Sequence, residues 1–253
     1  MKRILTLILV ALALGPGAMG TNSAVASDAS PVVLITGANR GLGLEFARQY
    51  SDAGWHVIGT ARKPATATDL AETGATVVQL DVTDADSVAA LAAELDGRPI
   101  DLLINNAGVI DRNASLSELD VDTVGWILDV NVLGPMRVTQ ALLPNLSAGA
   151  RKTVVNISSR LGSLAQNESG GLYGYRESKV ALNMFTVSLA NEFRDQGFIV
   201  VAMNPGWVQT DMGGENAALT PEQSVSGMRS VIEGLTPDDS GTFRAHSGGQ
   251  EPW

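Results

Sequence analysis

Cysteine is absent from the whole chain, and only two histidines, His56 and His246, occur among its 253 residues. Disulfides, thiolate metal sites and thiol catalysis are thereby excluded, and a histidine-based triad is poorly supplied. Basic residues are scarce as well: 17 Lys and Arg stand against 27 Asp and Glu, for a net charge of −10. That balance disfavours a nucleic-acid or anionic membrane surface as partner, so any anionic ligand has to be held locally. With 45% hydrophobic residues the chain can still bury a substantial core, and its length fits one α/β domain.

The first 26 residues have a different character. Lys2 and Arg3 precede Ile4 to Leu14, apolar except for Thr6, and then come Gly15-Pro16-Gly17 and the small triplet Ala24-Val25-Ala26. A charged start, a short apolar middle and a small-residue cleavage site form the pattern of a secretory signal. The apolar run is too short for a stable membrane span, which needs ~20 residues. Residues 1–26 are therefore expected to be a leader and 27–253 the folded unit, exported to the periplasm or the medium. The alternative is a start at Met19, which gives a cytoplasmic protein.

From Val32 onward, β-branched runs alternate with helix-period segments. Predicted strands are 32–36, Trp55–Thr60, Thr76–Leu80, Ile100–Ile104, Thr153–Ile157, Phe198–Met203 and a short Gly241–Ala245. Between them lie helical patterns from Gly41 through Tyr50, over about 85–95, in two segments between Leu116 and Leu146, and from Tyr175 to about Asp195. The last, to about Gly234, opens with Thr220 as N-cap, Pro221 at the first position and Gln223 closing a capping box. Such alternation predicts an α/β fold: a three-layer, doubly wound parallel sheet of about seven strands in one domain, covered on both faces.

Chemistry is expected first at Tyr175 and Lys179, four residues apart and so on one helix face. A neighbouring ammonium favours phenolate and lowers a tyrosine pKa, equipping the residue for general acid–base work. Alone, Y-x-x-x-K is weak. The segment Gly37-Ala38-Asn39-Arg40-Gly41-Leu42-Gly43 adds to it, because a glycine-rich turn between strand and helix lets a pyrophosphate approach the backbone and the free N–H groups of the helix start.

The spacing T-G-x-x-x-G-x-G in TGANRGLG, followed by Asn105-Asn106-Ala107-Gly108 and Tyr175…Lys179, resembles the short-chain dehydrogenase/reductase family. The closing Pro-Trp and PGWVQTDMGG are similar to its carbonyl reductase branch, which includes the sniffer and C-factor proteins. The resemblance implies a single Rossmann-like domain that binds a nicotinamide cofactor through Gly37, Asn39, Arg40, Gly41, Leu42 and Gly43. It also implies an adenine pocket at Asp81 and Val82, close backbone passage at Asn106, Ala107 and Gly108, and a nicotinamide closure at Pro205, Gly206, Val208 and Thr210. Thr83 reads equally as a helix N-cap.

Ala61 stands where an NAD-preferring relative carries an aspartate, and Arg62 follows; with Arg40 it can bind a 2'-phosphate, so NADP(H) is expected over NAD(H). Ser159, rather than the less favoured Ser158, corresponds to the catalytic serine, Tyr175 to the proton donor, Lys179 to the residue that tunes it and binds the ribose. Asn131 corresponds to the anchor of a proton-relay water. An asparagine among apolar helical neighbours calls for a kink with hydrogen bonds or a role. The interval from Ser159 to Tyr175 is longer than the family's commonest, enlarging a loop beside the substrate. Tyr173, the rival phenol, is expected to point elsewhere. The broad apolar surface after Lys179 suits a helix that is buried or faces another copy in a homodimer or homotetramer. The implied activity is NADPH-dependent reduction of an aldehyde, ketone or quinone carbonyl, and the alternative is a non-catalytic nicotinamide-binding signalling protein.

Overall fold

The computed structural model describes residues 30–112 and 115–253; the expected leader, 1–26, lies outside the described residues. Strand β1, Val32–Ile35, leads into helix α1, Gly41–Asp52. There follow β2, His56–Ala61, a short α2, Thr68–Glu72, then β3, Thr76–Gln79, and α3, Ala85–Leu95. After β4, Leu102–Asn105, one long helical stretch runs through α4, Val121–Leu128, a π turn, Asp129–Leu133, and α5, Gly134–Ala141. It continues into α6, Leu143–Ala148, and on to β5, Thr153–Ile157. The remaining elements are α7, Tyr175–Glu192, β6, Ile199–Asn204, α8, Pro221–Glu233, and β7, Phe243–Ala245.

The seven strands form one sheet in the order β3-β2-β1-β4-β5-β6-β7, every pair parallel. Alternate residues of each strand feed opposite layers. Val33, Ile35, Leu102, Ile104, Val155, Ile157, Val201 and Met203 pack with α1 and α8, whereas Leu34, Leu103, Val154 and Val200 pack with α3, α5 and α7. Both faces are covered, so the central strands read as unbroken apolar runs rather than alternating ones. The order reverses at β1 and β4, and a ligand crevice belongs outside the carboxyl ends of these strands.

Buried polar side chains tie that end of the sheet together. Asn105 Nδ2 donates to Asn156 Oδ1 at 2.9 Å and to Thr139 Oγ1 at 3.1 Å, and Asn156 Nδ2 donates to Thr186 Oγ1 at 2.9 Å. The two asparagines are register partners on β4 and β5, so the chain that links α5, both strands and α7 is nearly satisfied within the core. The helix α8 begins as its sequence requires: Thr220 Oγ1 accepts from Gln223 N at 3.2 Å, and Gln223 Oε1 accepts from Thr220 N at 3.0 Å. The apolar circumference of α7 is divided between environments, with Leu182 and Leu189 buried and Met184 exposed. No helix among the described residues is long and apolar enough to cross a membrane.

Candidate active site

At the end of β1, Thr36 Oγ1 accepts the backbone N–H groups of Asn106 and Ala107 at 2.9 and 3.0 Å. Asn106 Nδ2 donates in return to the carbonyls of Thr36 and Gly37 at 2.9 and 3.1 Å. The segment after β4, through Gly108, is thus locked to the glycine turn. Gly43 is held tightest: a Cβ there would sit 2.4 Å from the Gly37 carbonyl and 2.6 Å from Asn106 Nδ2. Helix α1 has no side-chain cap and no acid in its first turn, whereas α3 and α4 are capped by Asp84 and Asp120. Unclaimed N–H groups at a helix start favour an anionic group. Gly43→Ala is expected to spread this turn, weakening cofactor binding at least tenfold and costing about 2 kcal/mol of stability. Cofactor titration alongside a urea melt checks both.

Asn39 and Arg40 are exposed at the rim, and Arg40 reaches Asp211 at 2.9 Å, so the glycine turn and the loop after β6 are joined by an ion pair. Gly41 faces Thr210 across the same gap, and Leu42 packs on the core. Arg62, just past β2, is exposed near Asp81. The Thr83 hydroxyl donates to Asp81 Oδ1 at 2.7 Å, and this bond, with the Thr83 N–H and the charge of Arg62, holds the Asp81 carboxyl below its usual range. Thr83 is therefore not the cap of α3; Asp84 is, accepting from Asp86 N. Val82 is buried against Gly134. Beyond β6, Gly206 N donates to Asn204 Oδ1 at 3.0 Å, Pro205 O accepts from Ser224 Oγ at 2.6 Å, Val208 is buried, and Thr210 Oγ1 accepts from Gly213 N at 3.1 Å. An open cleft of about 420 Å³ runs beside Gln209, Thr210 and Asp211.

Ser158 and Ser159 end β5 with different tasks. Ser158 is buried and donates to Asn183 Oδ1 at 2.6 Å, which commits it to α7. Ser159 Oγ accepts from Leu161 N at 3.2 Å and lies within hydrogen-bonding reach of the Tyr175 phenol. Tyr175 is the first residue of α7, delivered by a run of left-handed residues, Gly170, Gly171, Leu172 and Gly174. Gly174 is needed twice over, for its φ of +80° and because a Cβ would lie 3.1 Å from Val124 and 3.2 Å from Ile127 of α4. Tyr173 falls in the loop, outside the helix.

Lys179 Nζ donates to the Ile157 carbonyl at 2.9 Å and lies 5.5 Å from the centre of the Tyr175 ring. The ammonium thus sits over the ring face. The expected lowering of the tyrosine pKa is corrected here: burial pushes the phenol up, the Ser159 hydrogen bond only partly opposing it. Burial likewise pushes the Lys179 ammonium down to about 8.

Asn131 stands in the π turn. Its Oδ1 accepts from Val109 N at 2.8 Å, and its Nδ2 donates to Val109 O at 2.9 Å and Ser178 Oγ at 3.0 Å. Both amide protons are used, so the side chain pins the segment after Gly108 to the turn. A Cβ on Gly108 would lie 3.3 Å from Asn131 Oδ1 and 3.8 Å from Lys179 Nζ, which brings all three into one small space. Ser178, not anticipated from sequence, joins Asn131 to the Tyr175 carbonyl, donating at 2.7 Å. A small hydroxyl directly before the lysine was its only local signal.

Among known proteins, the short chain dehydrogenase family matches residues 31–219. The C-signal of Myxococcus xanthus is 47% identical over 164 residues, covering 65% of this chain and 99% of that protein. The NADPH-bound carbonyl reductase from chicken fatty liver superposes with a TM-score of 0.83 at 34% identity, over 89% of this chain and all of the other. Carbonyl reductase Sniffer of D. melanogaster superposes equally well, TM-score 0.83 at 30% identity, over 88% of this chain and all of that one. A seven-stranded parallel sheet, a glycine turn closed by Asn106, and Ser159, Tyr175 and Lys179 gathered at its carboxyl end thus agree with these likenesses: the chain belongs to the short-chain dehydrogenase/reductase family, as an NAD(P)-dependent oxidoreductase.

Proposed function

We propose that the protein is an NADPH-dependent carbonyl reductase acting on aldehydes, ketones or quinones, and that the reaction is reversible. The observation that carries this reading is the convergence of Ser159, Tyr175 and Lys179 beside a turn too tight for any side chain at Gly43. A nicotinamide cofactor held at the glycine turn would supply hydride chemistry for a carbonyl carbon. The Ser159 hydroxyl and the Tyr175 phenol hold the carbonyl oxygen, and Tyr175 gives its proton to that oxygen as negative charge grows there. A phenol is protonated at neutral pH and burial pushes its pKa further up, so the residue is loaded as an acid. Lys179, fixed by the Ile157 carbonyl, stabilises the phenolate left behind. Asn131, with its amide spent on Val109 and Ser178, acts by holding the π turn in shape, so a relay water would meet its main chain. Large apolar residues, Leu164 after Ser159 and Trp207 after β6, stand exposed on the two loops flanking the site, which favours a bulky, apolar carbonyl compound. Exposed Trp126, Leu133 and Met184, on α4, the π turn and α7, fit a homodimer or homotetramer.

Preference for NADPH rests on Arg40 and Arg62 and on the absence of an acid at Ala61. Replacing both arginines by alanine is expected to raise the NADPH Kd by about 10²- to 10⁴-fold and to leave NADH binding nearly unchanged, each of the two lost charged hydrogen bonds being worth about 1.5–3 kcal/mol. Parallel titrations, with turnover of a carbonyl panel under each cofactor, test the reading. The likeness to C-signal favours a second one, a signalling protein that binds the cofactor without turnover. Binding without reduction of any carbonyl in the panel would select it.

A further inference from the structure

The long loop between Ser159 and Tyr175 and the segment after β7 are two sequence features that the chemistry above leaves unused, and they meet. After β7 the chain turns at Gly248 and folds back: Ala245 N donates to Gly249 O at 2.8 Å, and Glu251 N donates to Phe243 O at 2.7 Å. The Trp253 ring stacks on Phe243, with centroids 5.5 Å apart and an interplanar angle of 17°. Glu251 is thereby presented from a firm platform. One carboxylate oxygen accepts from Asn204 Nδ2 at 2.8 Å, and the other accepts from Gln166 Nε2 at 3.3 Å.

Each donor belongs to a different wall of the site. Asn204 ends β6 and through Oδ1 holds the N–H of Gly206, in the turn expected to close over the cofactor. Gln166 lies in the loop after Ser159, and its Oε1 accepts from Arg160 Nε at 2.8 Å. The same loop is fastened to the platform by Trp253 O, which accepts from Ala165 N at 3.0 Å and from Ser163 Oγ at 3.3 Å. Its far end is held by the buried guanidinium of Arg176, which donates to Gly171 O at 3.0 Å and Ser169 Oγ at 2.9 Å. Residues 163–166 of the loop are the ones held by the segment after β7. A carboxylate is the side chain that offers two acceptor oxygens to two amide donors; glutamine in its place has one.

We propose that Glu251 is a positioning residue that couples the cofactor-side turn at Gly206 to the substrate-side loop at 160–166, and so sets the orientation of the carbonyl substrate. The kinetic consequence rests on the reductase reading; the structural one does not. In Glu251→Gln the new amide can keep the Asn204 bond but turns N–H groups toward Gln166 Nε2, so the link to the loop breaks. The double variant Glu251→Gln with Gln166→Glu restores it with donor and acceptor exchanged, and Arg160 then faces a carboxylate.

The test measures hydrogen exchange of the full chain and, with wild-type turnover in hand, steady-state kinetics and product stereochemistry on a prochiral ketone. Glu251→Gln is expected to speed exchange in peptides covering 160–168, while 205–214, whose Asn204 bond is kept, and the β1–β4 core change little. It is also expected to raise KM about tenfold with weaker stereoselectivity and unchanged NADPH Kd, as follows from losing one charge-assisted hydrogen bond that orients the substrate. The double variant is expected to recover both. Unchanged exchange in 160–168, or a double variant no better than the single one, overturns the proposal; faster exchange throughout the sheet also overturns it, marking a merely structural role. A wild type that reduces nothing defeats the reductase reading instead, and exchange alone then decides the coupling.

Discussion

Tyr175→Phe is expected to lower the turnover of any carbonyl substrate by about 10²- to 10⁴-fold, the usual contribution of a positioned general acid, while cofactor affinity stays nearly unchanged. The substitution removes one oxygen and keeps a ring that is 6% exposed, so its burial and its contact under Lys179 survive. Its pH behaviour separates proton transfer from structure. Burial raises the phenol pKa above its ordinary value near 10, so in the wild type the acid form persists through neutral pH, and the reductive rate should stay level there and fall only in the alkaline range. The reverse reaction, oxidation of the alcohol, needs phenolate and should climb over that same range. In the variant both profiles should lose this limb. A variant that keeps a tenth or more of wild-type turnover would remove Tyr175 from the chemistry.

How much of this arrangement is legible in the sequence depends on the range over which each signal acts. Helix Ala85–Leu95 and strand Thr153–Ile157 match their expected bounds, as does the Thr220 start of α8, because caps and apolar runs are local. The short α2 has no counterpart among the expected helices, since five residues show no period. The π turn is legible only as an oddity, an asparagine among apolar neighbours, because a one-residue change of hydrogen-bond register leaves apolar periodicity almost intact. The motif residues around the cofactor turn and at Ser159, Tyr175 and Lys179 come together as their spacing on strand ends implies. Glu251 and Ser178 carry no comparable signal. Their partners, Asn204 and Gln166 for one and Asn131 for the other, are distant in sequence and adjacent only once the sheet is built. The direction of the tyrosine pKa is also out of reach, because spacing reports that Lys179 is near but not that it lies over the ring face with both groups desolvated.

Lys179 illustrates why the site is kept despite its energetic cost. The residue is 5% exposed, and its one fixed partner is the neutral Ile157 carbonyl, with no salt bridge to it among the described residues. The folded-state pKa of about 8 lies below the ordinary 10.5, which corresponds to about 3 kcal/mol of destabilisation in the protonated form. Between these two values the unfolded chain binds more protons than the folded one, so stability rises with pH across that window; below pH 8 the full cost is felt. Lys179→Met keeps the length and apolar stem while removing the charge. At pH 7 it is expected to unfold several degrees higher, after the lost hydrogen bond to Ile157 O is deducted and about 1–2 kcal/mol is left. The advantage over wild type should shrink as pH climbs from 8 toward 10.5. Turnover should meanwhile fall by at least about 10²-fold, because the phenolate formed at Tyr175 loses its neighbouring cation. Thermal melts at pH 7 and pH 10 with matched kinetics decide between the outcomes: a variant less stable than wild type at pH 7, or an advantage that does not change with pH, would mean that Lys179 is not held there at the expense of stability.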